Sequence, residues 1–177
     1  VLSGLLFAGS SRLSAAEPSS DILALFGVTP DEFVSGLPAS DDTLSFTSFS
    51  DLPMNKEDRA KVIEALSKKS SRTSFRLLLT MLLEGKEEQR ALDTIRDALP
   101  GGKSEYAAMV EAGILARLGR TDEIAKIDRF GWISDGSSWL STIQSGLNEN
   151  ECATLLDRLI SSPSIPPVFR QHLAGQR

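Results

Sequence analysis

From Asn55 to the C-terminus, apolar residues recur at helical spacing in segments of ten to fifteen residues, most of them closed by glycine or proline. That recurrence constrains the fold more than any other feature, because a chain so patterned must bury one face of each segment against another. Asn55–Ser67 sets Ala60, Ile63 and Leu66 near one face, with Lys56, Glu57, Asp58, Arg59, Lys61 and Glu64 largely around the other. Ser71–Glu84 is richer in leucine and reads as the more buried helix, stopped at Gly85. Lys86–Leu99 repeats the amphipathic pattern through Ala91, Leu92, Ile95, Ala98 and Leu99, and Pro100-Gly101-Gly102 ends it.

Ser104–Leu118 carries Ala107, Val110, Ile114 and Leu118 on one stripe before Gly119. Thr121 then stands as cap of a helix running to about Phe130, with Asp122 and Glu123 in its first turn. A turn over 131–136 leads to a helix from about Ser137 to Gly146. Asn148-Glu149-Asn150-Glu151 has the spacing of a reciprocal capping box ahead of Leu155, Leu156, Leu159 and Ile160. A short last helix is expected near Pro167–Ala174. With no convincing pair of adjacent strands, the reading is all-α, made of antiparallel helical hairpins.

The first 54 residues are less regular. Ser20–Gly27 suits a short helix, and Thr29-Pro30-Asp31-Glu32 combines a capping hydroxyl, a first-turn proline and two acids at the exposed amides. Residues 39–55 alternate Leu44, Phe46 and Phe49 with serine and threonine, as an extended linker with apolar anchors would. The expected organisation is therefore short helices and a linker over 1–54, and a helical-repeat-like domain over 55–177. Val1–Gly9 is apolar and Ser14-Ala15-Ala16-Glu17 would suit signal-peptidase cleavage, so a truncated export signal and a packed N-terminal helix are both retained. A soluble chain is expected, cytoplasmic or exported, since no apolar run reaches the roughly 20 residues that span a bilayer.

Two segments echo each other. Phe75–Leu83 is followed by Gly85-Lys86-Glu87-Glu88, and Ala107–Leu118 by Gly119-Arg120-Thr121-Asp122-Glu123, with the two glycines 34 residues apart. Over about residues 71–140 the sequence resembles the tetratricopeptide-type repeat, whose helices alternate at a period of about 34 residues. Ala112 suits that family's small position. Ile124 stands where alanine is usual, and Gly136 replaces the expected terminal proline, whereas Pro100 lies near the earlier unit's stop. The resemblance implies a short α-solenoid that binds protein or peptide and catalyses nothing. A different hairpin array and a single irregular bundle are the other packings these residues allow.

The side chains that could do chemistry are few. His172 and Cys152 are single examples of their kind, so a nitrogen–sulfur zinc site has no ligand set, and no cofactor motif is present. Cys152 sits in an expected first helical turn among leucines, which favours packing over nucleophilic work. Pro100-Gly101-Gly102-Lys103-Ser104 lacks the glycine spacing of a phosphate loop. Carboxylates are scattered, Glu123 and Asp128 being the nearest to a pair, so a hydrolase gathering acids from separate helices is the enzymatic alternative. A structural subunit or domain of a larger assembly is the other.

Charge is uneven. Residues 1–55 hold Arg12 against seven acids, whereas 56–76 are basic; the whole chain carries a formal charge of -5. Lys68, Lys69, Arg72 and Arg76 are candidate contacts for an acidic peptide or for the acidic N-terminal segment. The overall charge and sparse aromatics disfavour nucleic acid. Trp132 and Trp139 flank a turn and are candidate anchors for a partner, unless they seal a junction between hairpins.

Overall fold

The structure, a computed structural model, describes residues 23, 27–37, 54–69, 71–98, 105–127 and 138–176. Among these residues the fold is all-α: eight α-helices and one 3-10 segment, with no strand. The helices pair along the chain as antiparallel hairpins do. The chain divides into two units, Val1–Leu78 and Leu79–Arg177.

In the first unit, α1 (Pro30–Ser35) starts as its sequence dictates. The Thr29 hydroxyl accepts from the Glu32 amide at 3.2 Å, and the Glu32 carboxylate accepts from the Thr29 amide at 2.8 Å. Those bonds to Thr29 hold the Glu32 carboxyl below the ordinary carboxylate range. Helix α2 (Lys56–Ser67) is capped by Asn55, and it packs against α1. Its buried stripe is Val62, Ile63, Ala65 and Leu66, while Ala60 is exposed. The helix is thus rotated from the face expected of Ala60, Ile63 and Leu66, because the pair of larger side chains at 62 and 63 turns inward. Residues 1–22, 24–26 and 38–53, with most of the expected Ser20–Gly27 helix and the linker anchors Leu44, Phe46 and Phe49, lie outside the described residues; Leu23 is helical and buried.

Helix α3 (Arg72–Glu84) crosses the division between units. It is buried over most of its length, as its leucines require; Leu79, Leu82 and Leu83 have no exposed surface. The second unit continues with α4 (Glu88–Ala98), α5 (Glu105–Arg117), the 3-10 segment Thr121–Lys126, α6 (Ser138–Gln144), α7 (Glu149–Ser161) and α8 (Pro167–Ala174). Helix α5 is central: it packs against α4, the 3-10 segment, α6 and α7. Ala107, Ala108, Ala112 and Ala116 put little bulk on its surface, so neighbours approach from several sides. Val110, Ile114 and Leu115 supply the volume, all fully buried. The single stripe expected for this helix is therefore too narrow a description of it.

Two turns explain the echo in the sequence. At the end of α3 the Lys86 amide donates to the Leu83 carbonyl at 3.1 Å and the Glu87 amide to the Leu82 carbonyl at 2.9 Å. At the end of α5 the Gly119 amide donates to Ala116 at 3.1 Å and the Arg120 amide to Leu115 at 2.8 Å. Both are Schellman closures, whose pivotal residue takes a left-handed conformation. That residue is Lys86 in the first turn (φ 59) and Gly119 in the second (φ 74). The structural counterpart of Gly119 is thus Lys86, not Gly85, and the repeat is one residue shorter than the glycine spacing.

The segment after Gly119 departs from expectation. It is a six-residue 3-10 helix, and no side chain caps it, so Thr121 does not play the role its position suggests. Ile124 is the segment's buried residue, and Ile127, its extended C-cap, is buried as well. The expected capping box of α7 does form: the Asn148 side chain accepts from the Glu151 amide at 3.0 Å, and the Glu151 carboxylate accepts from the Asn148 amide at 2.9 Å.

Candidate partner-binding groove

Helix C-termini leave carbonyls that lack intrahelical donors. In the second unit, arginines from other helices meet several of these. Arg117, the last residue of α5, keeps only 3% of its side chain exposed. Its Nη2 donates to the Leu83 carbonyl of α3 at 2.9 Å, and its Nη1 to the Ile143 and Ser145 carbonyls at the end of α6, at 3.0 and 2.9 Å. The charge is balanced by Glu88 in the first turn of α4, at 2.6 Å from Nη2 and 3.2 Å from Nε. A cation at the negative ends of two helix dipoles, paired with an acid at the positive end of a third, is placed favourably at each contact.

Arg158, on α7, does the same for α5. Its Nη1 donates to the Ala116 carbonyl at 2.7 Å and to the Arg117 carbonyl at 3.2 Å. Leu83 and Ala116 occupy the same position in their two Schellman turns. Each of these carbonyls accepts a turn amide on one lone pair and an arginine of a later helix on the other.

Beside this second contact lies an open groove of about 680 Å³. One wall is the 3-10 segment, with Thr121, Asp122 and Ala125. The other is the polar stripe Thr154, Asp157, Arg158 and Ser161 of α7, running on into Ser162, Pro163 and Ser164. The spacing of that stripe keeps it on one helical face, opposite the buried Leu155, Leu156 and Leu159. A smaller depression of about 330 Å³ shares Thr154 and Arg158. There the Lys86 ammonium is 3.1 Å from Glu151, and Arg117 is paired with Glu88.

The residues singled out in the sequence are placed differently from one another. Lys68 is exposed and 2.8 Å from Glu64, one turn back on α2; that hydrogen bond, the Glu64 charge and nearby Asp31 raise its pKa. Lys61 is similarly held 2.7 Å from Glu57. Lys69 is exposed, whereas Arg76 is only 7% exposed, so the basic residues of 56–76 are not all on the surface. Arg72 heads α3, and its side chain lies outside the described residues. Trp132 and Asp128 also lie outside them, as does the Pro100–Ser104 segment. Trp139 has no exposed surface. His172 is exposed in the last turn of α8. Cys152 is partly buried, and that burial pushes its thiol up, away from the thiolate.

Sequence reasoning missed Arg117, Arg158, Glu88 and Glu111. Glu111 is 2% exposed within α5, and its carboxylate lies 3.0 Å from Arg96 Nε. Arg117 falls on the apolar stripe of Val110 and Ile114, and an arginine on a buried stripe is the signal that could have found it, since such a charge needs partners. Arg158 lies on the polar face of α7, where periodicity gives no such signal.

Comparison with known proteins gives no match to a family model, to a curated protein or to a solved structure. Among the described residues, no helix is long and apolar enough to cross a membrane, and no three His, Cys, Asp or Glu side chains gather as metal ligands.

Proposed function

We propose that this chain is a noncatalytic scaffold or adaptor that binds protein through grooves between its stacked helices, in the manner of short tetratricopeptide-like arrays. The observation that carries this reading is the groove between the 3-10 segment and α7, open and lined along one helical face by short polar side chains. Such a surface offers hydrogen-bonding groups to an extended segment or helix without requiring the chain to rearrange. The exposed ammonium groups of Lys68 and Lys69 offer a second contact, suited to an acidic partner.

The test is affinity capture with the full chain as bait, compared with Ala125→Trp and Ser161→Trp, each of which fills the groove from an exposed position. A partner held by the native chain and lost by both variants, at an unchanged unfolding midpoint, supports the scaffold reading. Binding that ignores both variants removes the groove from it, and the absence of any specific partner removes the reading itself.

A further inference from the structure

No further inference is drawn: the strongest candidate, the depression between the α3–α4 turn and α7 where Lys86, Arg117 and Arg158 gather, carries nothing, because Arg117 is bound to carbonyls and Glu88, Lys86 is held by Glu151, and the exposed Arg158 alone does not make a site.

Discussion

Removing the Arg117 guanidinium should be the most damaging single change in the second unit. Arg117→Met keeps most of the aliphatic stem, so the loss reports the charged fork. That fork makes five donor contacts, three to main-chain carbonyls and two to Glu88. Breaking a buried pair by deleting one partner costs about 3–5 kcal/mol, because the survivor is left uncompensated. Here the survivor, Glu88, keeps 18% of its side chain exposed and recovers some hydration, which favours the lower end of that range. The carbonyls add to it, each hydrogen bond to a charged donor contributing about 1.5–3 kcal/mol when intact, less what water restores. A loss of about 3–5 kcal/mol is therefore expected, a large share of the roughly 5–15 kcal/mol by which domains are stable. Urea unfolding of the full chain, followed by circular dichroism, measures it. Glu88→Gln should cost less, and the double variant should recover part of the summed loss, giving a coupling of about 1–3 kcal/mol. A loss below about 1 kcal/mol for Arg117→Met would falsify the assignment of this residue as the cap of α3 and α6.

Two left-handed glycines separate backbone strain from crowding. At Gly119 (φ 74) an added Cβ meets nothing within 4 Å, so Gly119→Ala should cost only the conformational penalty, about 1–2 kcal/mol. At Gly146 (φ 70) it would lie 2.7 Å from the Glu84 Cα, so Gly146→Ala should cost about 1–3 kcal/mol more; thermal unfolding of the pair compares them. The Glu151 carboxyl is held below its ordinary value of 4.5 by the Asn148 amide first, then by Lys86. A depressed carboxyl contributes stability above the unfolded-state value and loses it as pH falls through the folded one. Glu151→Gln should therefore lower stability at neutral pH, where the contribution is fully present, and change little below the folded-state value, flattening the profile between the two, as a titration of unfolding midpoints against pH would register. Lys86→Gly relieves a left-handed non-glycine at the cost of an exposed ion pair, and should raise stability by about 0.5 kcal/mol in the same urea assay.

Much of the local structure was legible because its causes are local. Thr29 with Glu32, and Asn148 with Glu151, cap their helices through atoms three residues apart, so sequence spacing alone supplies the geometry. The leucines of α3 announce its burial in the same way. The helical character of the described chain and the start of α7 were thus determined by the sequence. What it could not determine were choices that depend on a second element. Thr121–Lys126 closed as a 3-10 helix with no side-chain cap, and the left-handed turn fell on Lys86 because the Schellman bonds closed one residue past Gly85. Arg117 and Arg158 looked like ordinary helix-end cations until tertiary structure brought them to Leu83 and Ala116, carbonyls 34 and 42 residues earlier in the chain. The groove beside α7 has the same origin: periodicity marks Thr154, Asp157 and Ser161 as one polar face, but only packing sets Asp122 opposite them. Helix formation is dictated over a few residues, whereas a site is a meeting of segments far apart in sequence.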